Sequence, residues 1–193
     1  MAIVIADRFD FIIVGGGSAG AALASRLSEK NQYSILLLEA GTHGKHIKFR
    51  LPLLTPLALE DSSVTRQFRT QAEPGLHNRK LEWPRGKGLG GSTLINGMLW
   101  VRGDAHEYDH WAELGCQGWR YQELREYFTR SESYPQGDKL FRGRNGAVCI
   151  SPRAPHDKLT NAFLSACQAE GIPLLSDYNT GEFDGAGYLQ FNL

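Results

Sequence analysis

The clearest pattern of apolar and polar positions runs from the start of the chain to Gly41. Within Phe9–Val14 (FDFIIV), the run Phe11 to Val14 is unbroken and apolar, the pattern of a strand buried on both faces as in a parallel sheet. Gly15-Gly16-Gly17 interrupts it. Ser18 to Ser28 is rich in Ala and Leu and sets Ala19, Leu23 and Leu27 on one helical stripe. A polar turn, Lys30-Asn31-Gln32, leads into a second apolar strand, Ser34 to Leu38, which ends at Glu39. Strand, glycine turn, helix and strand in this order predict a βαβ unit.

Beyond Gly41 the periodicity weakens, and Pro52, Pro56 and Pro74 break it further. The segment 41–84 reads as a long excursion over the surface with one short helix near Leu53 to Leu59. Such stretches often serve as lids or cofactor covers. Pro84 to Gly103 is glycine-rich and then apolar, which predicts buried backbone lying close against something. Short helices are predicted for Glu107 to Leu114, ended by Gly115, and for Tyr121 to Arg130, with Leu124, Tyr127 and Phe128 at i, i+3, i+4 spacing. Gly146 to Ile150 predicts a strand. His156 to Glu170 predicts an amphipathic helix with Leu159, Ala162, Phe163, Ala166 and Cys167 on one face, stopped by Gly171 and Pro173. Gly187 to Phe191 is strand-like, and no terminal helix follows to close a core, so a further half is expected beyond Leu193. The fold class expected is α/β: a Rossmann-like βαβ core followed by the beginning of an α+β domain, with the C-terminal half absent.

Composition narrows the function classes. The 193 residues are 41% hydrophobic and 22% charged, an ordinary globular balance. Lys and Arg together number 21, as do Asp and Glu, so the net charge is zero and nothing points to nucleic acid or to an anionic membrane as partner. The local clusters Arg79-Lys80 and Arg85-Gly86-Lys87 read as solvated loops. Cys116, Cys149 and Cys167 lie far apart without metal-ligand spacing, so a reducing, cytoplasmic compartment is expected. His106 and His110 are four apart but lack the zinc-protease pattern and read as exposed helix residues. Ala2 to Ala6 is apolar yet far shorter than the ~20 residues of a membrane span, and no later segment predicts one.

Candidate chemistry begins at Gly15-Gly16-Gly17-Ser18-Ala19-Gly20, which satisfies G-x-G-x-x-G. Gly15 allows the tight turn out of the strand, Gly17 lets diphosphate oxygens approach backbone N–H groups, and Gly20 lets the helix pack close to the strand. The helix N-terminus offers unpaired donors and a positive dipole end. Glu39 stands where a carboxylate can accept from a ribose diol and repel a 2′-phosphate, which disfavours NADP. These spacings alone leave NAD and FAD both open.

The second glycine segment, Gly86 to Gly103, offers small residues where backbone can lie against a flat ring, with Ser92, Thr93 and Asn96 as hydrogen-bonding groups. A buried glycine loop whose polar groups satisfy neighbouring backbone fits the same residues equally well. The whole run PRGKGLGGSTLINGMLWVRG, Pro84 to Gly103, resembles the first signature of the glucose–methanol–choline (GMC) family of FAD oxidoreductases. Phe9 to Gly41 resembles that family's FAD-binding start. Asp109-His110-Trp111, Gly118-Trp119, Tyr127-Phe128, Gly143 to Ile150, Leu159 to Gly171, and Asp177 with Asn179 resemble its downstream pattern.

That resemblance implies a split FAD domain and a substrate domain on an antiparallel sheet, drawn here at 1–145 and 146–193. It implies that Gly15, Gly17, Ser18, Ala19 and Gly20 hold the diphosphate, and that Glu39 and Ala40 meet the adenosine ribose. Leu89, Gly90, Gly91 and Ser92, with Asn96, Gly97, Met98 and Leu99, would line the flavin. Relatives that attach flavin covalently use a histidine where this chain has Ile95, so the FAD is expected to be non-covalent. The implied substrate is a small, choline-like alcohol oxidised to an aldehyde, with a quinone, another carrier or oxygen as acceptor. In the full-length enzyme a peripheral membrane location is compatible with this. The family's catalytic histidine lies near the C-terminus of much longer chains, and none of His43, His46, His77, His106, His110 or His156 sits in a matching motif. No catalytic residue is therefore assigned, and the chain alone is expected to be inactive. An NAD-linked Rossmann dehydrogenase and an inert nucleotide-binding fragment with exposed apolar surface are the alternatives.

Overall fold

The computed structural model describes residues 8–45, 47–152 and 157–192. The expected apolar start 2–6, His46 and His156 lie outside them. The chain divides into two compact units, Met1–Gly97 and Met98–Leu193.

In the first unit, β1 (Phe11–Val14) pairs in parallel with β2 (Ile35–Leu38), in register from Phe11↔Ile35 to Val14↔Leu38, and α1 (Ser18–Ser28) connects them. A parallel pair needs a crossover of this kind because no hairpin can join it. Both strands are also clasped at their starts. The Asp10 carboxylate accepts from the Ser34 amide at 2.7 Å and from its hydroxyl at 2.8 Å. These hydrogen bonds, the amide's first, hold the Asp10 carboxyl below its usual range.

α1 has the predicted bounds, but its least exposed positions are Gly20, Ala24 and Leu27, whereas Leu23 is half exposed. Gly20 sets this face. A Cβ there would lie 2.0 Å from the Gly15 carbonyl oxygen, so the helix approaches the strand on the side where it has no side chain. β1 also departs from expectation: only Ile13 is buried, and Val14 is 82% exposed. Among the described residues of this unit β1 has one strand neighbour and one helix against it, too little to cover both faces.

The segment 41–84 is more than a surface excursion. It supplies α2 (Ile47–Arg50), a 3-10 turn at Pro52–Leu54 and α3 (Thr55–Glu60), whose Ala58 joins Val64 and Ile95 in a buried cluster flanked by Phe49, Leu59 and Leu94. Lys48 pairs with Asp61, and that hydrogen bond, reinforced by those from Ser63, keeps the Asp61 carboxyl far below its usual range. The segment then forms β3 (Thr65–Arg66), antiparallel to β4 (Arg85–Gly86).

The second unit contains α4 (Ala105–Glu113), α5 (Tyr121–Ser131) and α6 (Lys158–Ala169). Asp104 and Asp157 cap α4 and α6 by accepting from first-turn amides. Asp109 on α4 accepts from the Tyr121 amide at 2.9 Å, which ties α5 to it. Between the two helices Tyr108 meets Trp111, Tyr121 and Phe128 with ring centroids 5.5 to 6.3 Å apart, and Trp111 meets Trp119. The packed face of α5 carries Tyr121, Leu124 and Phe128. Tyr127, predicted to share it, is half exposed beneath Arg130. On α6 the packed face is Thr160, Leu164 and Cys167: Cys167 belongs to the predicted stripe, whereas Leu159 and Phe163, also predicted there, are exposed. Both helices carry apolar residues on more than one side, so periodicity alone could not say which side packs.

Short strands complete this unit. β5 (Glu132–Ser133) runs parallel to β6 (Val148–Cys149), and β7 (Ser151–Pro152) pairs antiparallel with β10 (Gln190–Phe191). β8 (Leu174–Leu175) runs parallel to β9 (Ala186–Gly187). The element that gathers them is a buried ionic network. Glu132 accepts from Arg102 at 2.5 Å, Arg142 at 2.7 Å, Trp100 at 2.7 Å and the Gly143 amide at 3.0 Å. Arg142 also donates to Asp177 and to Gln190, and Asn179 links Gln190 to the Trp100 carbonyl.

Burial pushes the Glu132 carboxyl up, but hydrogen bonds from Arg142 and Gly143 and the charges of Arg102 and Arg142 outweigh it, leaving it below its ordinary range. Its stabilising contribution is therefore complete above the ordinary glutamate range, about 4.3, and is lost as pH falls through the lower folded value. Replacing it, Glu132→Gln, leaves Arg142 with the partly buried Asp177 carboxylate and leaves the buried Arg102 without a carboxylate partner among the described residues. Urea denaturation at neutral pH should show a loss of about 3–5 kcal/mol, and the variant's stability should fall less on acidification than that of the parent.

Candidate functional site

The first unit holds a cleft of about 670 Å³, within the size range of small-ligand sites. It opens at the carboxyl ends of β1 and β2, where Val14, Gly15 and Gly17 meet Leu38, Glu39 and Ala40. Ligands of open α/β sheets bind at this end of the strands. Gly91 and Ser92 close it on another side, and Arg66, Phe68, Arg85, Gly86 and Lys87 form the remaining wall.

The cleft exists because two glycine segments touch backbone to backbone. The Gly90 amide donates to the Gly16 carbonyl at 2.8 Å, and the Leu89 amide donates to the Thr42 carbonyl at 2.9 Å. Gly17 bridges to Gly90, and Thr42 to Gly88. A Cβ on Gly91, which has φ +54°, would lie 2.8 Å from the Gly17 Cα, and one on Gly41 would lie 2.2 Å from the Lys87 carbonyl carbon. No side chain of any size fits at these contacts. Gly15, at φ +99°, is the opposite case. Nothing lies within 4 Å of where its Cβ would be, so its backbone faces open space.

These features suit a dinucleotide. The N-cap of α1 is Gly17, which offers no side-chain cap, so the first-turn N–H groups keep no capping side chain and suit phosphate oxygens. Glu39 accepts from the Gly16 amide and the Gly41 amide, each at 2.8 Å, one on each oxygen. Each oxygen keeps a second lone pair that a ribose hydroxyl can use. The carboxylate thus staples the phosphate turn to the second glycine contact as well as lining the cleft.

The residues singled out from sequence fall into three groups. Gly15, Gly17, Glu39, Ala40, Gly91 and Ser92 line the cleft together. Ser18, Ala19 and Gly20 sit in the first turn of α1, Leu89 and Gly90 in the contact with Gly16 and Thr42, and Asn96 and Gly97 at exposed positions, all outside the cleft lining. Met98, with φ +58°, and Leu99 belong to the second unit. Sequence reading missed Arg66, Phe68, Arg85 and Lys87. Arg85 and Lys87 lie at the start of the glycine signature, where their charges read as a solvated loop, and only the β3–β4 pairing brings Arg66 beside Arg85.

A sequence profile described as GMC oxidoreductase matches residues 9–192. The chain belongs to that family. FAD is the family's cofactor, which replaces the NAD alternative. The oxygen-dependent choline dehydrogenase of Photobacterium profundum is 44% identical over 181 residues, 93% of this chain and 32% of that enzyme. The pyridoxine 4-oxidase from Mesorbium loti superposes with a TM-score of 0.91 at 33% identity, over 96% of this chain and 37% of that one. An FAD-dependent oxidoreductase from Chaetomium thermophilum superposes with a TM-score of 0.83 at 27% identity, over 96% of this chain and 34% of that one. The chain thus spans about a third of the length of the relatives it matches. No helix among the described residues is long and apolar enough to cross a membrane.

Gly91→Ala tests the glycine contact. The added methyl meets backbone at Gly17 and must adopt an unfavourable φ, so the variant should lose about 1–3 kcal/mol of stability in chemical denaturation, with weaker FAD retention. Unchanged stability would show that the segments are not in contact.

Proposed function

We propose that this chain holds FAD non-covalently, as the cofactor-binding part of an oxidoreductase that converts a small, choline-like alcohol to an aldehyde. The observation that carries this is the cleft at the strand ends, where the open Gly15 backbone, the uncapped start of α1 and Glu39 converge. Gly15, Gly17, Ser18, Ala19 and Gly20 serve the diphosphate, and Glu39 and Ala40 the ribose. Leu89 to Ser92 and Asn96 to Leu99 serve the flavin side. Ile95 supports non-covalent attachment, because it is buried in the cluster with Ala58 and Val64 and has no nucleophile. These roles assign 1–145 to cofactor binding and 146–193 to the substrate side. They divide the chain by task, whereas the two compact units divide it by packing.

Bound flavin supplies acceptance of a hydride from the alcohol carbon, and the hydroxyl proton then needs a base. Among the described histidines, His43, His77, His106 and His110 are exposed and none lines the cleft. We therefore place the base outside this chain's described residues and expect the 193-residue chain to bind cofactor without turnover. The names of relatives, an oxygen-dependent dehydrogenase and a 4-oxidase, favour oxygen over a quinone as acceptor. Free thiols at Cys116, Cys149 and Cys167 favour a reducing compartment, the cytoplasm.

Incubation with FAD followed by gel filtration tests the reading. The chain should elute with flavin absorbance, release all of it into the supernatant on denaturation, and reduce no dye with choline. Preference for NAD or absence of retained flavin would refute FAD binding. Flavin that stays on denatured protein would refute non-covalent attachment, and dye reduction would refute the absence of a base.

A further inference from the structure

The cleft has a basic wall made of Arg66 and of two residues, Arg85 and Lys87, at the start of the glycine signature. Arg66 on β3 and Arg85 on β4 are directly paired across the antiparallel ladder, so their side chains leave the same face. Like charges directly opposite one another destabilise such a pair. Both line the cleft, and Lys87, two residues beyond Arg85, lines it too. None of the three forms an ion pair among the described residues. Glu39, the carboxylate among the lining residues, already accepts from the Gly16 and Gly41 amides.

The wall is also held in place. The Arg85 guanidinium donates to the Pro84 carbonyl at 3.0 Å and sits 4.8 Å over the Trp83 ring, and the Lys87 amide donates to the Val64 carbonyl at 2.8 Å. Three basic residues thus line one cleft of a chain with no net charge. They share it with the Gly15–Gly17 turn, where first-turn amides offer further donors to an anion. A diphosphate in the cleft would relieve the Arg66–Arg85 repulsion and accept charge-assisted hydrogen bonds.

We propose that Arg66, Arg85 and Lys87 form a cationic wall that binds the 5′-diphosphate of the dinucleotide. This rests on the reading that the cleft takes FAD. It adds that phosphate affinity depends on three side chains beyond the glycine turn.

Calorimetric titration of the 193-residue chain with FAD, ADP and adenosine, at low and high salt, tests it. Arg66→Gln, Arg85→Gln and Lys87→Gln should each weaken ADP binding by about tenfold or more, leave adenosine binding unchanged, and reduce the loss of ADP affinity on adding salt. Arg66→Lys, which keeps the charge, should recover most of the affinity. Ligand-free Arg66→Gln should unfold at the parent temperature or above it, because a repulsion has been removed. ADP affinity within about twofold of the parent in all three variants (under about 0.5 kcal/mol) would overturn the proposal, and so would equal losses for ADP and adenosine. A parent chain that binds neither FAD nor ADP would instead overturn the FAD reading itself.

Discussion

The first unit depends on a contact that only main chain can make. Gly86 to Gly91 lies against Gly15–Gly17 on one side and Gly41–Thr42 on the other, with Gly90 and Leu89 donating across the gap. Side chains would separate these segments, and the cleft between them would change shape. Close packing also explains why Glu39 is placed where it is. Its two oxygens join the Gly16 amide to the Gly41 amide, so the group that faces a ribose also fixes the phosphate turn. Binding surface and structural support are the same atoms here.

The second unit is organised on a different principle. Its central members are charged, with Arg102, Glu132 and Arg142 buried almost completely. Burying such groups is costly unless each is paired and hydrogen-bonded. Glu132 meets that condition with four donors, and Arg142 with acceptors from Glu132, Asp177 and Gln190. The network joins residues from 100 to 190, and so it ties together strands too short to hold one another by ladder hydrogen bonds alone. Arg102 pays a residual cost, because its Nε lacks a partner among the described residues.

Sequence made the local elements legible wherever a residue type has one dominant reason to be where it is. The glycine turn, α1 and the two parallel strands are in this class, because G-x-G-x-x-G between apolar runs has few other uses. Faces were less legible. Leu23, Tyr127, Leu159 and Phe163 are apolar yet exposed, since each helix bears apolar residues on more than one side and only tertiary neighbours choose among them. Least legible were groups joined by distant pairing. Arg66 meets Arg85 through β3 and β4, and Glu132 meets Arg102 and Arg142 through folding of the second unit. A charge in a sequence looks alike whether it is solvated or buried in a network.

Hydrogen exchange at the Leu89 and Gly90 amides tests the contact between the glycine segments most directly. Both amides donate across it, and close backbone contact predicts that they exchange as slowly as the Gly15 amide, which donates to Leu38 at the end of the β1–β2 ladder. Adding FAD should slow all three together. Exchange of Leu89 and Gly90 at the rate of an unfolded chain, with Gly15 alone protected by FAD, would contradict it.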